Sequence, residues 1–227
     1  MMARVARVCG HSFLASLFGS PPLIIDAGFN HGQFSQAMMT AYDARMVAVE
    51  PVQALYDARA RDPRLRAWRA AIGGHDGEVV INVYAERCAS LLGEVTPGEE
   101  SSGETVALWT LARLRREAGF DQADLLKLDI EGAELDVFEG AAAAELRCFR
   151  QITVEFHDFV WPEQAVRVRR AMALMRAAGF RRINFSRDNT DVLFVRRDLL
   201  SWPAWLWLRF VVRNLRGLRR RLRGERD

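Results

Sequence analysis

Lysine is nearly missing from this chain: position 127 holds the single lysine, and every other Lys/Arg-type side chain is arginine. A general preference for arginine accounts for the rest, so the exception marks a place that needs a compact ammonium with rotatable donors. Cysteine is scarce too. Its three copies, at 9, 88 and 148, are far apart and odd in number, which argues against a disulfide framework or a metal-type cluster and fits a reducing compartment. No A-x-A cleavage pattern follows the apolar residues 13–18, so residues 1–21 read as an amphipathic helical lead covering a sheet edge rather than a secretion signal. The net charge of +3 is not spread over the chain: from Arg209 onward there are eight arginines against two acids, which leaves the remainder at −3. That weakens any general nucleic-acid reading, and no nucleic-acid partner is expected. At 227 residues, half of them hydrophobic, the chain suits one well-buried α/β domain and is short for two.

What is present begins with Leu23 to Gly32, an apolar run that ends in Asp26 and then a loop with Gly28, Asn30 and Gly32. A second apolar run, Met46 to Val49, ends in Glu50, 24 residues after Asp26, the length of one strand–loop–helix–strand unit. A strand that ends in a glycine turn lets a ligand approach backbone, and an acid at the end of the next strand can accept hydrogen bonds from ribose hydroxyls. The glycine spacing is not the G-x-G-x-x-G of dinucleotide sites, and Asp26 would sit badly beside a pyrophosphate. It suits a ligand with an ammonium or sulfonium, which favours S-adenosylmethionine over NAD. A plain βα turn without a ligand is the alternative.

Further along, a helix is expected at 52–60, strands near 68–72 and 79–84, a mobile loop at 94–104 and a helix over 106–119. A buried strand at 125–130, a helix at 134–145, a strand at 151–156 and a helix at 164–178 closed by Gly179 follow. Strands at 182–185 and 192–195 finish the domain as an antiparallel pair.

The run Leu126-Lys127-Leu128-Asp129-Ile130-Glu131-Gly132-Ala133-Glu134 puts four ionisable groups at the carboxyl end of a buried strand, where open α/β sheets bind ligands. Such charge is costly to bury unless it is paired or functional, and a structural salt-bridge knot is the competing reading. With Asp26-x-Gly28-x-Asn30-x-Gly32, Glu50-Pro51, Gly140-Ala141 and Glu155-Phe156-His157 in this order, residues 22–196 resemble the FkbM-type methyltransferases. Two departures stand out. Phe29 and His31 replace small or aliphatic residues of the first loop, and Ala112 stands where the family commonly has an aspartate.

The resemblance implies a Rossmann-like class I methyltransferase fold over 22–197: a seven-stranded, mostly parallel sheet with a reversed last strand and helices on both faces. It also implies S-adenosylmethionine as methyl donor and a hydroxyl of a sugar, glycan or natural product as acceptor. Asp26 and the Gly28 and Gly32 backbone would hold the methionine end, Glu50 the ribose, and Ala71 and Ile72 would flank the adenine, with Asn30 a further cofactor contact. An alcohol needs a base, and Asp129, Glu131, Glu155 and His157 are the candidates, with Lys127 orienting Asp129 or stabilising alkoxide. Glu134 reads as a first-turn helix acid. The same four base candidates could hold a divalent metal, although no spacing is diagnostic and none is assigned. A catalytically silent scaffold on the same fold is the second reading.

Residues 198–227 form a separate tail. Leu199 to Val212 carries three tryptophans, is broken by Pro203 and Arg209 and is too short to span a bilayer, and six arginines follow between 213 and 223. The pattern suits an interfacial helix on an anionic membrane surface, with a helix folded back on the domain or an oligomer contact as alternatives. The expected location is cytoplasmic, peripheral at the inner face where the tail engages.

Overall fold

The four central strands are mostly apolar and buried on both faces, with Asp26, Lys127, Gln151 and Thr153 as buried polar exceptions. The computed structural model describes residues 4–59, 61–84, 88–90 and 101–212. In chain order these give β1 (Val5–Val8), β2 (His11–Leu14), β3 (Leu23–Ala27), α1 (Gln33–Tyr42), β4 (Arg45–Val49), α2 (Gln53–Ala58), β5 (Leu65–Trp68), β6 (Ala71–Ile72), β7 (Gly77–Tyr84), β8 (Cys88–Ser90) and β9 (Ser101–Trp109). Then come α3 (Leu111–Ala118), β10 (Leu125–Leu128), α4 (Glu134–Gly140), α5 (Ala143–Leu146), β11 (Gln151–Val154), α6 (Ala165–Ala177), β12 (Phe180–Asn184), β13 (Val192–Arg196) and α7 (Trp202–Trp207).

The main sheet has seven strands in the order β12-β13-β11-β10-β3-β4-β5. Only β13 is reversed, pairing antiparallel with both β11 and β12. Successive residues of each central strand face opposite sides. Ile25, Val47 and Leu126 therefore enter one core with Leu114, Phe138 and Met175, while Ile24, Met46 and Leu125 enter another with Phe13, Phe34 and Met38. The chain leaves β3 for β4 and β5, then returns to pair β10 on the other side of β3. The strand order switches direction there, and a crevice opens beyond the carboxyl ends of these strands. A smaller sheet, β6-β9-β7-β8, stands beside it and supplies Ala71, Ile81 and Leu108 to a satellite core.

Residues 5–14 are not the expected helical lead but a hairpin, β1 paired with β2. Its loop is Cys9-Gly10, both at positive φ (44° and 88°), the requirement of a two-residue turn matched to strand twist. Two buried side chains of the sheet dock the hairpin. Gln151 accepts the Leu14 N–H (2.8 Å) and donates to its carbonyl (3.2 Å), and Asp191 accepts the Ser12 N–H (2.9 Å) and hydroxyl (2.8 Å).

The helix expected from 106 also starts later. β9 runs to Trp109, and Thr110 caps α3 by accepting the Arg113 N–H at 3.1 Å. Of the expected loop at 94–104, residues 101–104 belong to β9, and the remainder lies outside the described residues. The helix expected over 134–145 is two, α4 and α5, parted at Ala141 and Ala142. Nor does the chain separate at 198. Leu200 and Leu208 are buried against Leu14, Ile183 and Leu193, and Trp205 Nε1 donates to the Arg182 carbonyl (2.9 Å). Among the described residues no helix is long and apolar enough to cross a membrane.

Candidate active site

The crevice has two differently built halves. In the first, β3 ends in a tight turn. Gly28 sits at φ 86°, and a Cβ there would lie 1.8 Å from the Asp129 carbonyl, so only glycine lets the β3 and β10 ends lie this close. Gly32, at φ 74°, caps the start of α1, and a Cβ there would meet the Phe29 ring at 2.4 Å. The large residue at 29 is thus accommodated by the missing side chain at 32. Asn30, at φ 51°, takes the left-handed turn that its short amide tolerates. Glu50, at the end of β4, is 4% exposed. Its Oε2 accepts the Asn30 N–H (2.7 Å) and its Oε1 the Val52 N–H (3.0 Å). Burial pushes its pKa up, against these two hydrogen bonds. Each oxygen keeps a second lone pair for a ligand hydroxyl. Gly28, Asn30, Glu50 and Ile72 line one cavity, with Val52, Leu55, Ala71 and Ile81 as its apolar wall.

Asp26 lies elsewhere than expected. It is fully buried, accepts from the Ser35 hydroxyl (2.7 Å), pairs with Lys127 (3.2 Å) and does not line the cavity. Gly32 does not line it either, and serves packing. Both support the first loop from behind.

In the second half, Lys127 and Asp129 extend from the end of β10. The Lys127 Nζ donates to the Gly28 carbonyl (2.6 Å) and lies 3.2 Å from Asp26 and 3.4 Å from Asp129. Burial opposes its charge, but the two carboxylates outweigh it and its pKa is raised. The lone lysine therefore clamps both strand ends to the loop as a cation. Burial opposes the charge of Asp129 as well, but contact with His11 and the charges of Lys127 and His157 hold its pKa low. Glu131 is left-handed at φ 54°, an uncommon state for glutamate, and Gly132 follows at 101°. Glu134 holds this turn, its Oε1 accepting the Ile130 N–H (2.8 Å) and its Oε2 the Gly132 N–H (3.1 Å).

His157 is 8% exposed, with Nδ1 3.2 Å from Glu134 and Nε2 3.4 Å from Glu131 and 3.9 Å from Asp129. Burial disfavours its charge, yet Glu134, Glu131 and Asp129 together lift its pKa to about 9. That shift favours the imidazolium at neutral pH, the form that does not act as a base. Burial raises the pKa of Glu131 and of Glu155, and the Asp129 charge adds to both. These two are the better proton acceptors. Glu134 does more than serve its helix, since it is the nearest anion to His157.

One site residue was not anticipated at all. His11, fully buried at the start of β2, places Nε2 3.4 Å from Asp129. The Cys9-Gly10 turn signal preceding it would have revealed the hairpin, though not where it docks.

Residues 26–182 match the model of the methyltransferase FkbM domain. The methyltransferase sdnD of Sordaria araneosa is 26% identical over 217 residues, covering 80% of this chain and 81% of that protein. A 74-residue stretch, 30% of this chain, is 40% identical to 4% of the AMB antimetabolite synthetase AmbE of Pseudomonas aeruginosa. A solved structure from Anabaena variabilis, described as a methyltransferase from an antibiotic biosynthesis pathway, covers 85% of this chain and 69% of its own at 12% identity and a TM-score of 0.36. With well over half its length under the domain match, and the matched region containing Glu50, Lys127, Asp129 and His157, this chain belongs to the FkbM family of methyltransferases.

Proposed function

We propose that the chain transfers a methyl group from S-adenosylmethionine to a hydroxyl oxygen of a sugar, glycan or natural-product acceptor. The observation that carries this is a single cavity lined by Glu50 and an apolar wall at one end and by Asp129 and Glu131 at the other. The first end suits a ribose and its base. The second offers carboxylates that would attract a sulfonium. The donor supplies an electrophilic methyl, and the chain's residues hold, align and remove a proton. The hydroxyl oxygen attacks the methyl carbon as the carbon–sulfur bond breaks, and the hydroxyl proton passes to Glu131 or Glu155. Holding three atoms in line supplies much of the rate, and a positioned base contributes on the order of 10²–10⁴-fold. The stretch shared with an antimetabolite synthetase supports a natural-product acceptor over a macromolecular one.

Calorimetry with S-adenosylhomocysteine tests the donor half. Binding that Glu50→Ala weakens at least about tenfold is expected from loss of hydrogen bonds to a charged group, and no binding to the wild type overturns the proposal. Binding without methyl transfer to any acceptor of a hydroxyl panel would favour the silent scaffold.

We also infer a peripheral contact of the C-terminal face with an anionic membrane surface. Trp202, Trp207 and Phe210 are exposed there, beside Arg181 over the Trp202 ring and Arg209 over Trp205. Removing residues from 198 would strip Leu200 and Leu208 from the core, so the informative variant is Trp202→Ala with Phe210→Ala. Reduced flotation with anionic liposomes is expected of it, and equal flotation sinks the idea.

A further inference from the structure

The acceptor end gathers more carboxyl groups than basic ones: Asp129, Glu131, Glu134 and Glu155 surround Lys127, His157 and His11. Lys127 is largely spent on Asp26 and the Gly28 carbonyl, and His157 on Glu134 and Glu131.

The remaining side chains meet at one point. One ligand atom each from His11, Asp129 and Glu155 lie within 4.8 Å of one another. His11 is fully buried, and neither ring nitrogen has a hydrogen-bond partner. Its Nε2 lies 3.4 Å from Asp129 Oδ2, too long and poorly aligned for a good hydrogen bond, though close enough to favour the charged form of the carboxyl. A buried imidazole normally satisfies its nitrogens. A ring nitrogen and a carboxylate oxygen at this distance have the spacing of neighbouring ligands on one ion, since metal–ligand bonds of about 2.1 Å at tetrahedral angles separate ligand atoms by about 3.4 Å. The imidazole is held in place by the hairpin, whose Ser12 and Leu14 are bonded to Asp191 and Gln151.

We propose that His11, Asp129 and Glu155 bind a divalent transition-metal ion at the acceptor end of the crevice. One imidazole and two carboxylates favour Mn²⁺, Fe²⁺ or Zn²⁺ over Mg²⁺ and Ca²⁺, which prefer all-oxygen sets. Lys127 touches the same Asp129 oxygen at 3.4 Å, but it keeps its Gly28 and Asp26 contacts if that one is given up. Resting on the methyl-transfer reading, the ion's role is to bind the acceptor hydroxyl and make its proton easier to remove, so that the proton passes to Glu131 and the ion stays bound.

The test uses the full chain, stripped with EDTA and titrated with MnCl₂ while the signal of free Mn²⁺ is followed by electron paramagnetic resonance. One Mn²⁺ per chain is expected, displaced by Zn²⁺ and not by equimolar Mg²⁺. His11→Ala and Glu155→Gln should each weaken binding at least about tenfold. Glu155→Gln keeps the side-chain shape and should retain the wild-type circular dichroism spectrum. A free-Mn²⁺ signal unaffected by excess wild-type protein overturns the proposal, as does equal affinity in both variants. S-adenosylhomocysteine affinity is measured on the same samples: its presence without Mn²⁺ binding leaves methyl transfer standing, and Mn²⁺ binding without it overturns the donor reading alone.

Discussion

The two ends of the crevice solve the problem of holding a ligand in opposite ways. The Glu50 end is made of backbone, glycine and one carboxylate whose oxygens are already anchored by two N–H groups. Its polar geometry is set mainly within one strand–loop–strand unit, with Lys127 clamping the Gly28 carbonyl from β10. The Asp129 end is made of ionisable side chains from four places, the hairpin, the end of β10, the turn before α4 and the end of β11. Preorganised backbone recognises a constant ligand part, whereas a charged cluster can move protons. On the proposed reading the first end recognises the donor and the second carries the chemistry, a division that can be broken experimentally.

The largest effect is expected from Asp129→Asn, which keeps the shape but removes the charge shared by Lys127, His11 and His157. Methyl-transfer turnover should fall about 10- to 100-fold, the loss of contacts to a charged group, while S-adenosylhomocysteine affinity changes little, as read by steady-state kinetics beside calorimetry. Equal losses in both would show that the two ends are not separable. Next comes Lys127→Met, which leaves Asp26 and Asp129 buried without their shared cation. Urea unfolding should report a loss of about 3–5 kcal/mol. Glu50→Gln should do the reverse of Asp129→Asn, weakening the donor about tenfold and leaving turnover at saturating donor nearly intact.

A further effect is a pH dependence of stability. His157 has a folded pKa of about 9 against 6.5 unperturbed. The stability it brings is therefore whole below pH 6.5 and fades as pH climbs through 9, by at most ~3 kcal/mol. Chemical denaturation at pH 7 and at pH 9.5 should show this loss in the wild type and a smaller one in His157→Gln. No difference between the two proteins would remove the imidazolium from the account.

The Glu50 end was legible in the sequence because its logic is local. Apolar runs of strand length, a turn with two glycines and an acid 24 residues on can be read along the chain. Even there Asp26 was misplaced, since sequence position does not say that Ser35 and Lys127 absorb its carboxylate behind the loop. The lone lysine was a true signal of a special position, and the structure gives the reason in a compact ammonium serving one carbonyl and two carboxylates. The Asp129 end was half legible. Lys127 to Glu134 and Glu155 to His157 stood out as charges at strand ends, but which acid would meet which base depends on register between β10 and β11. His11 was not legible, because its role depends on a contact between the first turn and a strand more than a hundred residues away. The reading of 1–21 as helix failed for a nearer cause, a two-residue turn hidden in a stretch with apolar character.

The docking of the first hairpin bears on how this enzyme can be cut. The homologous domain, as matched, begins at Asp26 and stops at Arg182. Both Ser12 and its anchor Asp191 fall outside those limits, one on each side. A fragment trimmed to them would lose β1, β2, β13 and the first three residues of β3, and with them the docked His11. Limits drawn from the matched range alone would cut through the central sheet.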